Sequence, residues 1–232
     1  MILVNNKFGK ILIILLLLSL LIIGGANYFV WYNFKREVPI VYKSAEDHFK
    51  YGSINSGGVP FFIWEVLPDL FAEHLPGPGG YKSLGFIWEE GQEMPVGVSK
   101  TIVGFPRQGS TCALCHATTY RKSPQDSPNL VLGAPTQTFD SVANIRFLAA
   151  CGNDPKFTPD NLIPAIEAKH PLSWSDKLLY RYVIIPQTQE RLMGLGMAFA
   201  WTNSRRDPGP GRIPSFNPVK FVQFRLPPIL LG

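Results

Sequence analysis

Cysteine is scarce in this chain: 232 residues carry three, Cys112, Cys115 and Cys151. So few exclude a disulfide-stapled scaffold. No second Cys or His pair accompanies Cys112 and Cys115 at zinc-ligand spacing, since His48, His74 and His170 are scattered singly. That weighs against a closed four-ligand zinc site. The βαβ pattern that a thioredoxin-like dithiol requires is missing around them. Charge is also thin: charged residues make up 17% and the net charge is +5. The Lys and Arg are dispersed, with no basic run interleaved with aromatics, so nucleic acid is not an expected partner. No internal repeat is evident.

Long apolar runs are missing too, except at one place. Lys7 and Lys10 precede an uninterrupted apolar run over positions 11–23, broken only by Ser19, which continues more weakly to Trp31 and Tyr32. Residues 11–32 are about as long as a helix needs to be to cross a hydrocarbon core. Tyr28, Trp31 and Tyr32 form an interface-type aromatic cluster, and Lys35 and Arg36 follow it. The expectation is a cytoplasmic N-terminus (1–10), a single transmembrane signal-anchor (11–32) and one exported domain (38–232). A cleaved signal peptide, with Gly24 and Ala26 as the small residues of its cleavage site, is the alternative. Either way residue 38 onward lies outside the cytoplasm. The predicted location is therefore the cell membrane, single-pass, with the domain on the periplasmic side.

The chain is organised around Thr111-Cys112-Ala113-Leu114-Cys115-His116. C-x-x-C-H is the pattern of c-type haem attachment. Each thiol adds across one haem vinyl group, and the spacing lets one turn of backbone present both sulfurs to one porphyrin edge. His116 then reaches the iron as the proximal ligand. Half of a zinc site with His116 as third ligand, a strained redox disulfide and a chance match remain open at this point. Export strengthens the haem reading, because the thioether linkage is made after export. Cys151, left alone, reads as a small buried apolar side chain.

Along the chain, residues 39–51 read as a short helix with His48 on or near its apolar face. Residues 60–75 read as a helix broken at Pro68. Phe86-Ile87-Trp88 and Thr101-Ile102-Val103 read as the strands of a small hairpin. A helix is expected over 112–120 to carry the haem, and further helices over 139–151 and from Thr158-Pro159 to 169. Ser173 caps another, and Pro186 opens the last, which runs to Trp201. The class is mainly α: a c-type cytochrome domain with long irregular loops, preceded by one transmembrane helix.

Taken together, His48-Phe49-Lys50-Tyr51-Gly52-Ser53-Ile54, the Cys112–His116 motif, Leu178-Leu179-Tyr180-Arg181, Gly209-Pro210-Gly211-Arg212 and Phe216-Asn217-Pro218-Val219-Lys220 resemble a known group. It is the exported di-haem cytochromes of the cytochrome c peroxidase-like superfamily, in particular the rubber oxygenase-related branch. The segments fall in the family's order over nearly all of the exported part. The resemblance implies covalent haem at Cys112 and Cys115, with His116 as proximal iron ligand. It also implies Trp201 and Phe216 as distal-pocket aromatics and Arg212 as a partner of a haem propionate. Arg107 and Arg121 are further propionate candidates by charge. Family members carry a second C-x-x-C-H on a second domain, which this sequence lacks. The expectation is therefore the N-terminal haem half alone, a short form or a truncated reading of a longer gene.

Met94, Met193, Met197, His74 and His170 are the residues available as a sixth ligand; Met193 and Met197 share one helix face. The expected function is a membrane-anchored cytochrome holding one covalent haem c and transferring electrons outside the cytoplasm. Its partners would be exported redox proteins or a membrane electron-transfer chain. The alternative is the N-terminal half of a peroxidase- or oxygenase-like enzyme with an open distal site.

Overall fold

The computed structural model describes residues 7–54, 58–204 and 206–212. Helix α1 (Lys7–Val30) is built from the apolar run and continues through one π-helical turn, Trp31–Lys35. Its side chains face outward almost throughout, and among the described residues it is the one helix long and apolar enough to cross a membrane. At Arg36 the chain turns extended and enters β1 (Glu37–Val38). The expected span 11–32 falls within this helical stretch, its last two positions in the π-helical turn.

Strand β1 lies beside β2 (Val98–Val103), which pairs antiparallel with β3 (Phe105–Ser110). The hairpin partner of 101–103 is therefore 105–107, and not the expected 86–88. The reason is Gly104. Its φ is +72°, and its N–H donates to the Arg36 carbonyl at 2.7 Å. A Cβ there would lie 1.9 Å from the Asn33 carbonyl oxygen. Only glycine turns the chain so tightly against α1.

Helix α2 spans Ala45–Tyr51, capped by the Ser44 side chain, and not the longer 39–51. Residues 39–42 lie outside it, so the face also changes: His48 is exposed and edge-on to Tyr42, whereas Lys50 is buried. Helix α3 (Phe61–Leu70) passes through Pro68 without breaking. Proline removes the N–H that would bond the Trp64 carbonyl. The Tyr81 hydroxyl takes its place, donating to that oxygen at 2.7 Å, and the two rings stack at 4.2 Å.

The second half of the chain supplies α4 (Ser141–Asn153, capped by Asp140), α5 (Pro159–Glu167), α6 (Trp174–Leu179) and α7 (Ile185–Ala198). A reciprocal capping box of Ser173 and Asp176 starts α6. Pro186 stands in the first turn of α7, as expected of the residue that opens the last helix, which ends at Ala198 and not Trp201. A π-helical turn, Tyr180–Ile184, joins α6 to α7 and leads into the proline. These helices close over Phe61, Leu67, Phe71, Phe147, Phe157, Leu162 and Ile166, all of which are fully buried. Cys151 is buried in the same core, as expected of a lone thiol. The described chain is mainly helical.

The predicted haem-carrying helix over 112–120 does not form. A single 3-10 turn, Cys112–Leu114, leads directly into β4 (Ala117–Tyr120), which pairs with β5 (Asn129–Leu132). Thr118, Thr119 and Tyr120 are β-branched or aromatic and favour the pleated ladder over a helix.

Candidate functional site

Strand β3 delivers the motif. Ser110 ends the strand, and Thr111 opens the next turn with extended backbone and a side chain that accepts the Ala113 N–H at 3.1 Å. The Thr111 hydroxyl also donates to the Lys50 carbonyl at 3.2 Å. Cys115 N–H and His116 N–H both donate to the Cys112 carbonyl, at 3.3 and 3.0 Å. The pentapeptide is one closed turn.

Its faces are sharply divided. Thr111, Ala113 and Ala117 are buried, and Ala113 and Ala117 join Tyr51 and Val96 in a small apolar cluster. Cys112, Cys115 and His116 are exposed. Both thiols are free. The surroundings of Cys115 desolvate its thiol and so raise its pKa, with the nearby Cys112 adding to the effect.

The turn is braced from three sides. The Gly97 carbonyl accepts the Thr111 N–H at 2.9 Å. From the far side, Thr136 N–H donates to the Cys115 carbonyl at 2.9 Å and Gly133 N–H to the His116 carbonyl at 2.8 Å. Under it lies a charged network. Lys50 Nζ contacts Glu89 at 2.9 Å and Glu46 at 3.0 Å, and the Tyr51 hydroxyl donates to Glu89 at 2.7 Å. Burial works against ionising Glu89, but the hydrogen bonds from Tyr51 and Lys50 outweigh it and hold its pKa below the usual range. This network was missed at the level of sequence. Lys50 and Glu89 stand 39 positions apart, and no local spacing pairs them.

A metal ion and a prosthetic group ask different things of the donor atoms. Those of Cys112, Cys115 and His116 do not converge on a point. Among the described residues, the trio whose ligand atoms all lie within 4.8 Å of one another is Glu73, His74 and Asp154. A tetrahedral ion needs convergence. A porphyrin takes its two sulfurs at separate vinyl groups and its imidazole at the centre, so divergent donors on one exposed turn suit it. Free thiols, an unpaired imidazole and a buried back face fit haem.

Other predicted residues are partly brought together. Gly211 N–H donates to the Phe139 carbonyl at 3.0 Å, and a Cβ on Gly211 would lie 2.7 Å from the Thr136 carbonyl oxygen. Thr136 in turn bonds Cys115, so Arg212, which is exposed, stands one loop away from the motif. Trp201 lies in the 3-10 segment Ala200–Ser204 beyond α7, near Phe199. Arg146 ties that segment down through the Thr202 carbonyl at 3.2 Å and Asp207 at 2.8 Å. Phe216 lies outside the described residues. Arg121 is exposed just past β4, and Arg107 is not beside the turn; its guanidinium lies 4.1 Å above the Phe105 ring.

Of the sixth-ligand candidates, His74 is engaged with Asp154 at 2.8 Å and His170 with Glu65 at 2.6 Å. Met193 and Met197 line a recess of 440 Å³ between α4 and α7. Met94 packs against the apolar cluster behind the motif. Comparison with protein-family models, with curated proteins and with solved structures finds no match to this chain.

Proposed function

We propose that the protein is a membrane-anchored c-type cytochrome that binds one haem covalently and transfers electrons outside the cytoplasm. The observation that carries this reading is the Cys112–His116 turn. Two free thiols and an imidazole that makes no hydrogen bond among the described residues are presented on the exposed face of one rigid turn. Cys112 and Cys115 would hold the haem through thioether bonds, each sulfur joining one vinyl carbon and each thiol hydrogen going to the other carbon of that vinyl, and His116 would ligate the iron. Bound there, the haem supplies a one-electron iron couple.

The chain's own residues do the rest. Thr111 and Ala113 fix the turn, the Lys50–Glu89–Tyr51 network stiffens its base, and Arg212 offers a cation to a propionate. The resemblance to the exported di-haem cytochromes supports the same assignment, and α1 supplies the anchor. The test is covalent haem staining of the exported protein after denaturation. Cys112→Ala with Cys115→Ala should abolish it, and a fully stained double variant would overturn the assignment.

A second reading has its own support. His74 and His170 are occupied by carboxylates, which favours an open distal side and hence the haem half of a peroxidase- or oxygenase-like enzyme. Carbon monoxide binding separates the two.

A further inference from the structure

The exported domain is fixed to the end of its anchor by specific contacts. Asn33 and Phe34 sit in the π-helical turn just past α1, immediately after the aromatic residues Tyr28, Trp31 and Tyr32. The β2–β3 tip is seated on this turn. Gly104 N–H donates to the Arg36 carbonyl at 2.7 Å, with no room for a side chain between Gly104 and Asn33. The Phe105 ring meets Phe34 edge-on at 6.2 Å.

If Val30 closes the apolar span, then Asn33, three residues on, is about 4–5 Å further along a helix rising about 1.5 Å per residue. The headgroup layer is about 5–7 Å thick on each side of the hydrocarbon core. The tip is therefore at headgroup depth. Its chemistry suits that layer. Phe105 is a half-buried ring with the Arg107 guanidinium above it, and Arg36 lies above the Tyr32 ring at 4.6 Å. None of Lys35, Arg36, Arg107 and Arg191 has a carboxylate partner among the described residues. Arg191 lies close enough to Arg107 to act on it through its charge. Arg107 donates from Nε to the Val103 carbonyl at 3.2 Å, and aromatic faces with guanidinium groups that lack a carboxylate partner match lipid phosphates at this depth.

We propose that the β2–β3 tip, Gly104 and Phe105 with Arg107 beside them, rests in the phospholipid headgroup layer and binds lipid phosphate there. Strand β3 then acts as a spacer. It runs from Phe105 to Ser110 and hands over at once to Thr111, so Cys112 is held no more than about 23 Å from the tip, at about 3.3 Å per residue. The docked tip thereby limits how far the redox turn stands from the membrane. The inference rests on α1 spanning a bilayer and does not require haem.

The test uses the full chain in nanodiscs of phosphatidylcholine and phosphatidylglycerol. The photo-crosslinker p-benzoylphenylalanine is placed at position 28, 105 or 120, each an aromatic position already, and adducts are read by intact mass. Lipid adducts at 28 and 105 but not at 120 are expected. Adducts at 28 alone would leave the anchor standing and overturn the seated tip. Equal adducts at 105 and 120 would overturn it as non-specific contact. No adduct at any position would remove the anchor reading and the proposal with it.

Discussion

The hydroxyl of Thr111 donates to the carbonyl oxygen of Lys50 at 3.2 Å, joining residues 61 positions apart. One end of this bond is the cap of the Cys112 turn; the other lies in α2, whose buried Lys50 pairs with half-buried Glu89 and exposed Glu46. The Cys112 turn is thus tied to α2, and several expectations follow from that tie.

Thr111→Val keeps the shape but loses both the cap to Ala113 and the bond to Lys50. Removing an N-cap costs about 1 kcal/mol, and a buried carbonyl losing one of its donors adds about another. The Lys50 carbonyl keeps the Gly97 N–H at 3.0 Å. Thermal unfolding should show a loss of about 1–2 kcal/mol, with less haem attached per chain and the haem spectrum otherwise unchanged.

Gly97→Ala should be worse than its size suggests. Gly97 has φ of +91°, and a Cβ there would lie 2.3 Å from the Leu114 Cα, within the motif. The backbone of the turn has to move. Haem incorporation should fall well below that of Thr111→Val, as judged by haem stain per unit of exported protein. Equal incorporation would show that the turn tolerates displacement.

The Glu89 cluster predicts a pH dependence. Glu89 has a folded pKa below its unfolded value, so the stability it contributes is present above the unfolded pKa. That contribution is lost as pH falls through the folded pKa. For Lys50 the pKa is raised: burial lowers it, but Glu89 and Glu46 more than offset this. Its contribution is present below the unfolded pKa and lost as pH rises through the folded one. Glu89→Gln should cost about 1–3 kcal/mol at neutral pH and flatten the acid limb of the stability curve. Denaturant titrations between neutral pH and about pH 3 check this. An unchanged acid limb would place the acid-sensitive group elsewhere.

Cys151 should be chemically silent. It is fully buried, and burial, followed by the charge of Asp154, raises its thiol pKa far above the ordinary value. In native haem-free protein, iodoacetamide should modify Cys112 and Cys115 and spare Cys151. Cys151→Ser should cost about 1–3 kcal/mol by burying a hydroxyl in place of a small apolar group, whereas Cys151→Ala should cost less.

The sequence is a good guide wherever the signal is local. Helix α1 follows from an apolar run broken only by Ser19, and the expected cap Ser173 uses its own side chain, whereas Thr158 starts α5 without a side-chain cap bond. The motif residues, set by covalent spacing, are legible without any fold. What escaped was decided at long range. Pro68 should break α3, but a hydroxyl from Tyr81 takes the orphaned carbonyl. The strand partner of 101–103 was misplaced because Gly104 is selected by contact with α1, which no local pattern reveals. The turn at 112–114 was read as a helix because haem attachment suggested one, while the β propensity of 118–120 pulled the chain into a ladder. Lys50 is buried because Glu89, 39 positions away, is brought against it, and no local spacing pairs the two.

The most direct measurement is the absorption spectrum of the exported, membrane-bound protein after dithionite reduction, with and without carbon monoxide. The account predicts a sharp c-type α-band that requires Cys112 and Cys115, and that carbon monoxide leaves in place for an electron carrier. A rapid carbon monoxide shift would move the function to the oxygenase- or peroxidase-like reading with the haem site intact. Absence of any haem band from protein made alongside haem-attachment machinery would contradict the account at its centre.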